Sequence, residues 1–438
     1  MIPVVSPDEM GAIDAAAPES TEELIDRAGA AVARTALAML GGSYGRRVVV
    51  VAGPGNNGAD GRAAARRLER SGVRVRLVEP TENSLPVTDL VIDAAYGTGL
   101  TRPYDFPEVP PGVPVLAVDI PSGVHGLTGQ VLGRPVAAEV TVTFAALKPG
   151  LVLGPGRSLA GRVEVVDIGL DVSSATIGVV EASDVAAWLP PRSADAHKWN
   201  HAVRVVGGSV AMTGAPRLAA AGALRFGAGY VQVAVPGRSG LDEPVEAVGF
   251  ALPATGWGEV AASEVERLGA LLVGPGLGSE AEAEVDRLLA LDRPLVIDGD
   301  ALHRQLPRRL PNRVHPTILT PHDGEFRRLG GFDTGDRVAD TRALAAACGA
   351  VVLRKGPTSV IAGPDGRVRL VANGDQSLAT AGTGDVLAGM VLAAVGRGTP
   401  ALEAASAAAW VHAEAGRGQP GLVASDLPER IRAVLSSS

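Results

Sequence analysis

Only one cysteine, Cys348, occurs among 438 residues. A lone thiol forms neither an internal disulfide nor a cysteine-based zinc site, which excludes a disulfide scaffold and a zinc ribbon. Its Ala-rich apolar surroundings predict a buried core thiol. Aromatic residues make up only 3%, leaving the cores to Ala, Val and Leu. Apolar runs stop short of the ~18 residues that a membrane helix needs. The stretch from Met1 to Ala17 carries Asp8, Glu9 and Asp14 in place of a basic segment followed by an apolar one. No membrane span and no secretory leader are expected, and the expected compartment is cytoplasmic. Positive charge is also scarce: 40 Lys and Arg against 48 Asp and Glu leave a net charge of −8. This balance offers no general attraction for nucleic acid or an anionic membrane.

What is present is apolar and regular. Hydrophobic residues reach 46% and charged residues 20%, a globular composition, and at roughly 150 residues per domain the length suggests two or three domains. Arg47–Ala52 is a β-branched run, followed by a glycine loop over Gly53–Gly61 and a helical pattern. Further strands are expected at 73–78, 90–94, 115–119, 140–144 and 163–168. Around Asp171 to Lys198 the pattern lapses into Ser, Asp and Pro, including Pro190 and Pro191, which places a linker between roughly 172 and 196. Strands then resume at 203–206, 230–235, 270–273, 294–298 and 317–319. Runs at 351–354, 359–362 and 368–371 are spaced as terminal hairpins, and a long helical region follows. Alternation of this kind predicts two α/β domains with parallel sheets, divided as 1–177 and 178–438.

The glycine loop Gly53-Pro54-Gly55-Asn56-Asn57-Gly58 satisfies G-x-G-x-x-G, and Glu79 closes the next strand about 20 residues on, where a ribose-binding acid would stand. The loop also carries Asp60, an acid that would repel a pyrophosphate. It therefore reads as a nucleotide-like site of another kind, with a hydride-transfer dehydrogenase and a purely structural turn as alternatives. Asp93 and Asp119-Ile120-Pro121-Ser122 end two further strands. With Asn57 they offer hard oxygen ligands without Cys or His, as a bound alkali or alkaline-earth cation requires; strand-end caps are the structural alternative.

The sharpest local signal is Gly382-Thr383-Gly384-Asp385, a glycine-flanked turn opening an apolar helix. Amides at a helix N-terminus hold phosphate or a developing oxyanion, and a carboxylate just inside takes the proton of an attacking hydroxyl. Gly274-Pro275-Gly276-Leu277-Gly278, Asp298-Gly299-Asp300, Thr320 to Glu325 and Lys355 to Ser359 each follow an expected strand. Lys355 is suited to phosphate charge, His322 to a ring or phosphate or to a structural task, and Glu325 to Mg²⁺ through water. The other six histidines lack metal-ligand spacing, so catalytic zinc is not expected.

With these residues in hand, the chain resembles, along nearly all its length, the family of bifunctional NAD(P)H-hydrate repair enzymes. In that family an epimerase is fused to an ADP-dependent dehydratase of ribokinase-like fold. The resemblance rests on GPGNNGADG (53–61), DAAYGTGLTRP (93–103), AVDIPSGV (117–124) and TFAALKPGLVLGPG (143–156), then on VVGGS (205–209), GPGLG, TPHDGE and AGTGDVLAG (381–389). It implies that the first domain interconverts the R and S hydrates of NADH and NADPH, and that the second dehydrates the S form with ADP. It further implies potassium at Asn57, Asp93 and Ser122, with the hydrate against Asn56, Asn57, Gly58, Ala59, Asp60, Gly97, Thr98, Gly99, Leu100, Thr101, Arg102, Pro103 and Asp119. In the second domain the resemblance assigns nucleotide to Lys355, Gly356, Pro357, Thr358, Ser359 and Gly384, with Mg²⁺. It assigns substrate there to Ala215, Gly276, Gly278, His322 and Asp385. Asp119 and Asp385 are the implied catalytic residues. Departures from the family pattern at Ala59, at His125 and Leu127, and at Trp199-Asn200-His201 bear on substrate fit. Two other readings stand beside this one: a ribokinase-like small-molecule kinase with an inert partner domain, and an N-terminal binding scaffold. The expected partners are the hydrates and ADP, with neither nucleic acid nor membrane, and a homo-oligomer is the expected assembly.

Overall fold

The computed structural model describes residues 1–189, 191–239 and 244–437. Its contacts divide the chain into two compact units, Ile2–Ile177 and Gly178–Ser438, the latter including Met1.

In the N-terminal unit a helix over Thr21–Leu40 (α1) precedes strand Arg47–Ala52 (β1), helix Asn56–Arg70 (α2) and strands Arg74–Val78 (β2), Leu90–Ala94 (β3), Val115–Val118 (β4), Val140–Phe144 (β5) and Arg162–Val166 (β6). These strands form one parallel sheet in the order β2-β1-β3-β4-β5-β6. Strands β3, β4 and β5 are buried at every residue, which is why they read as continuous apolar runs: α1 and α2 pack against one face of the sheet, and residues of the connecting segments, including Leu85, Tyr104, Phe106 and Val109, cover the other. The edge strand β2 exposes Arg74 and Arg76, charges that discourage pairing with another edge. The chain passes outward from β1 to β2 and returns across β1 to β3, so the order reverses between β1 and β3. A ligand crevice belongs outside the carboxyl ends of those two strands.

The C-terminal unit has strand Ala202–Val206 (β7), helix Gly214–Arg225 (α3), and strands Tyr230–Pro236 (β8), Val248–Leu252 (β9), Ala270–Val273 (β10), Leu295–Ile297 (β11) and Thr317–Leu319 (β12). Val351–Arg354 (β13), Ser359–Ala362 (β14) and Val368–Val371 (β15) follow, then helices Thr383–Gly396 (α4), Ala401–Gly416 (α5) and Leu427–Ser437 (α6). Its sheet runs β15-β14-β13-β12-β11-β10-β7-β8-β9. Pairing is parallel from β9 to β13 and antiparallel in the β13–β14 and β14–β15 hairpins, as the turn spacing predicts. Here the order reverses between β7 and β10. From Thr383 to Gly396 only Gly384 and Asp385 escape full burial, so α4 is an interior helix.

Three expectations are corrected. The stretch read as a linker holds a strand at Ile177–Val179 and a helix at Ala182–Trp188; Ser and Asp there serve the helix, whose entry is braced by the Asp184 carboxylate accepting from Glu181 N at 2.9 Å. Pro190, one of the two prolines of that reading, lies outside the described residues. The glycine loop is shorter than expected, since α2 begins at Asn56 with Gly55 as its cap. Strand β9 escaped the sequence pattern because it is an edge with one fully buried residue. Cys348 is buried, and burial pushes its thiol up to about 12, in line with a core role.

Helices α3 and α4 cross at two glycines. A Cβ on Gly389 would lie 1.9 Å from the Ala219 carbonyl oxygen, and one on Gly222 would lie 2.4 Å from that of Val386. Gly389→Ala therefore forces apart two backbones that cannot move independently, at a cost of about 1–3 kcal/mol. We expect the melting transition of the C-terminal unit to fall by several degrees; an unchanged transition would show that the crossing is loose.

Candidate active sites

In the N-terminal unit a cavity of about 540 Å³ opens at the carboxyl ends of β1, β3 and β4. Asn56, Asn57, Asp60, Gly97, Thr98, Gly99, Leu100, Thr101, Arg102 and Asp119 all line it, as do Asp14, Tyr96 and Lys148. Of the expected substrate residues, Gly58, Ala59 and Pro103 do not. Gly58 is spent on the turn itself, because a Cβ there would sit 1.8 Å from the Gly53 carbonyl oxygen. Pro103 faces solvent beyond the rim.

Asp119 follows β4 with φ 66, a left-handed conformation that a non-glycine residue adopts only when its surroundings hold it there. Lys148 Nζ lies 2.8 Å from its Oδ1, and Thr98 N donates to Oδ2 at 3.0 Å. Burial alone would raise this carboxyl; Lys148, aided by bonds from Thr98 and Thr143, overrides that and holds it below its usual range. Asp60 shares the cavity without such a partner. Burial, then the charges of Asp119 and Asp14, push it up to about 8. Two carboxyl groups on one cavity thus sit in opposite protonation states near neutral pH, the pattern of an acid and a base.

Asp93 and Ser122 lie behind the cavity wall, both fully buried. Asp93 Oδ1 accepts from the Ser122 hydroxyl at 2.5 Å and Oδ2 from Ser122 N at 2.7 Å. Burial pushes Asp93 up to about 6 against these bonds. Both polar atoms of the Asn57 side chain are buried without a hydrogen-bond partner. The orphaned Asn57 amide, the Asp93 carboxylate and the Ser122 hydroxyl are all hard oxygen donors, the chemistry that suits a cation such as potassium, and the set contains no soft donor.

In the C-terminal unit Lys355 leaves β13 and its Nζ reaches Asp298 Oδ1 at 3.0 Å, with Glu325 Oε2 at 3.8 Å. Asp298 also accepts from the Thr320 hydroxyl at 2.7 Å. The two carboxylates overcome the effect of burial on Lys355 and raise it, so it stays charged. A Cβ on Gly384 would lie 3.3 Å from Lys355 Nζ, which puts the ammonium at the first turn of α4. Asp385 stands in that turn. Burial and the charge of Asp298, only partly opposed by Lys355, push it up to about 7. Gly382 caps the helix with φ 90. Asp300 accepts from Gly278 N at 2.9 Å and ties the Gly274–Gly278 loop to the loop after β11. Ala215 abuts Gly276, where an added Cβ would approach its own to 3.0 Å.

The Lys355–Ser359 loop divides. Gly356 packs against Arg337, whose Nη2 donates to the Lys355 carbonyl at 2.6 Å; Thr358 is buried, and Ser359 opens β14. His322 caps the helix over Asp323–Arg328, its Nδ1 accepting from Gly324 N at 2.9 Å. That is the structural task the sequence left open for it, although its ring remains half-exposed. Sequence reasoning missed Lys148, Asp14, Arg337 and His412. Lys148 stands inside the quoted TFAALKPG run, so a signal existed without a role attached.

Among the described residues no three His, Cys, Asp or Glu side chains converge as a metal site. A Mg²⁺ ion in the C-terminal unit would thus complete its shell with phosphate oxygens and water, as is usual for this ion.

Taken together, the fold and sites define a two-unit α/β enzyme with a carboxyl-lined cavity in one unit and, in a ribokinase-like second unit, a helix N-terminus beside the Lys355 ammonium. The family described as NAD(P)H-hydrate dehydratase matches residues 203–429, and that described as YjeF-related protein N-terminus matches 21–86 and 78–150. A bifunctional NAD(P)H-hydrate repair enzyme of Thermofilum pendens is 36% identical, covering 94% of this chain and 92% of its own. Its counterpart from Mycobacterium leprae is 38% identical over 86% and 84%. A crystal structure of the Bacillus subtilis ADP/ATP-dependent NAD(P)H-hydrate dehydratase, co-crystallised with ATP/Mg²⁺, superposes with a TM-score of 0.52 at 30% identity, covering 58% of this chain and 95% of that one. A ribokinase-like protein of Enterococcus faecalis, 21% identical with a TM-score of 0.53, shares the fold; it covers 60% of this chain and 96% of its own. The chain belongs to the family of bifunctional NAD(P)H-hydrate repair enzymes. No helix among the described residues is long and apolar enough to cross a membrane.

His412 lies on α5 with its Nε2 2.9 Å from the Thr383 carbonyl, bracing the turn that opens α4. Burial pushes this imidazole down to about 4. The unfolded chain, with an ordinary histidine near ~6.5, therefore takes up a proton that the folded chain refuses. The contribution is fully present above pH ~6.5 and is lost as pH falls toward 4, about 3 kcal/mol across the window. His412→Gln, which still donates to Thr383, should flatten the acid loss of C-terminal stability. Equal losses in both proteins between about pH 7 and pH 5 would show that His412 is not the group being titrated.

Proposed function

We propose that this chain repairs hydrated NADH and NADPH in two steps: residues 1–177 interconvert the R and S hydrates, and residues 178–438 dehydrate the S form while ADP becomes AMP and phosphate. The observation that carries the second step is the meeting of Lys355 and Asp385 at the first turn of α4. The hydrate's hydroxyl is a poor leaving group. Asp385, poised at about 7, takes its proton while the oxygen attacks the terminal phosphorus of ADP; a P–O bond forms to the substrate and the anhydride bond to AMP breaks. Lys355 and the helix amides carry the phosphate charge. The ring nitrogen's lone pair then expels phosphate, and loss of a proton from the neighbouring carbon restores the reduced ring. Mg²⁺, when bound, would neutralise phosphate charge beside Asp298 and Glu325.

The first step needs a hydroxyl to leave one face of a ring carbon and water to add to the other. Neutral Asp60 can give the departing oxygen a proton, and ionised Asp119 can take one from the entering water. Asn57, Asp93 and Ser122 would hold potassium, which supplies fixed positive charge beside an otherwise acidic cavity.

Two measurements test this. Asp385→Asn keeps the shape but cannot accept the proton, so recovery of reduced nicotinamide from the S hydrate with ADP and Mg²⁺ should drop by ~10²–10⁴-fold while ADP binding persists. A variant within threefold of the parent, or a stable phosphate ester as product, overturns the reading. Asp93→Ala should weaken epimerisation and its potassium dependence together. Normal epimerisation with and without potassium would return Asp93 to a strand-end cap.

A further inference from the structure

Lys148 is 1% exposed, yet no apolar function explains an ammonium there. Its three N–H bonds are all committed: to Asp119 Oδ1 at 2.8 Å, to the Thr143 hydroxyl at 2.9 Å and to the Phe144 carbonyl at 3.0 Å. Thr143 in turn donates to the same Asp119 oxygen at 3.2 Å. Lysine and threonine thus grip Oδ1 from two sides. Oδ2 accepts from Thr98 N, and Thr98 belongs to the loop that lines the cavity. Backbone strain marks both ends of the arrangement. Asp119 (φ 66) and Ala145 (φ 61) are two of only three non-glycine residues with positive φ among the described residues. Such a residue persists only where its surroundings enforce it.

We infer that Lys148 is a positioning residue for the N-terminal reaction: it fixes Asp119 through Oδ1 and leaves Oδ2 as the oxygen that meets the reacting hydroxyl or water. Although Lys148 lines the cavity, it has no N–H donor left to offer a substrate. Its ion pair rather than its reach is what the reaction uses. A lysine in this position has to be deeply buried, since an exposed ammonium would exchange Asp119 for water and release the strained conformation. Thr143 completes the grip, and its place on β5 explains why a β-strand threonine is fully buried beside a sheet of valines. This inference rests on Asp119 acting in epimerisation, as proposed above.

The test is a mutant cycle on the full chain, read as kcat and KM for interconversion of the two hydrates. Asp119→Asn should lose ~10²–10⁴-fold in kcat. Lys148→Met should lose a comparable factor with KM moved less than about threefold, because substrate contacts remain. The combined Lys148→Met/Asp119→Asn variant should be no slower than Asp119→Asn alone, and as a neutral pair it avoids stranding a buried carboxylate. Thr143→Val, which keeps the side-chain shape, should lower kcat by roughly tenfold at unchanged KM. That variant decides the matter if Lys148→Met fails to fold. An inactive Asp119→Asn beside a Lys148→Met or Thr143→Val of parental kcat overturns the positioning role while leaving the assignment of Asp119 intact. Additive losses in the combined variant also overturn it, since Lys148 would then act by another route. An active Asp119→Asn removes the base itself, and the inference falls with it.

Discussion

A buried lysine paired with an aspartate at the carboxyl end of a parallel sheet organises each half of this molecule. In the N-terminal unit the pair is Lys148 with Asp119 at 2.8 Å, and in the C-terminal unit it is Lys355 with Asp298 at 3.0 Å. Taking an ammonium out of water costs several kcal/mol, and removing one partner of such a pair leaves a stranded charge worth about 3–5 kcal/mol. The pair therefore locks the loops that carry it. The two units use the lock differently. Lys148 spends itself on Asp119 and holds that carboxylate ionised. Lys355 is shared between Asp298 and Glu325, and burial, together with the negative charge of Asp298 that Lys355 only partly offsets, lifts Asp385 to about 7. One arrangement holds its aspartate below the usual carboxyl range, and the other leaves its aspartate above it.

The rest of the scaffold serves to bring loops into register around these pairs. Topological reversals at β1/β3 and β7/β10 open the crevices, and glycines close the distances. Gly207 and Gly274 let neighbouring loops meet in the C-terminal unit: a Cβ on the first would lie 2.5 Å from the Pro275 carbonyl, and one on the second 1.7 Å from that of Asp298. The latter contact joins the substrate loop directly to the residue that pairs with Lys355. The helix crossing at Gly222 and Gly389 does the same from below, setting the height of α4 and so of Asp385. His412 holds the Thr383 carbonyl at that turn. Site geometry is thereby a consequence of backbone contact, which side-chain substitutions elsewhere cannot easily relax.

Much of this is legible in the sequence because buried parallel strands leave a plain signature. Strands β1, β3, β5, β10, β12, β13, β14 and β15 lie where their apolar runs end and their glycine loops begin. The loops that follow them carry many of the residues that line the N-terminal cavity or surround Lys355. What escapes does so for physical reasons. Edge strand β9 has one fully buried position, so period and hydrophobicity say little. Ser, Asp and Pro around residues 172–196 look like a linker, although they also punctuate a short strand and a short helix. Lys148 and His412 are single polar residues inside apolar stretches, and only a fold can say which carboxylate or carbonyl such a residue meets. His322 shows that one residue can have two readings: its Nδ1 caps a helix, while the rest of its ring stays exposed.

The glycine fingerprint shows how the same letters can serve a different geometry. In a dinucleotide site of hydride-transfer enzymes, the turn presents helix amides to a pyrophosphate and an acid one strand later holds the ribose. Here two of the three glycines are consumed by contact: a Cβ on Gly53 would lie 1.9 Å from the Ala95 carbonyl, and one on Gly58 would lie 1.8 Å from that of Gly53. Only Gly55 leaves open space beside it. Glu79 ends an exposed edge strand and does not line the cavity. The residues that do face it from this segment are Asn56, Asn57 and Asp60, and Asp60 at about 8 carries a proton, so it presents a donor where an ionised acid would repel an anion. A cavity with one carboxyl raised by burial, one held down by a lysine and an orphaned amide oxygen carries the groups that the proposed epimerisation calls on.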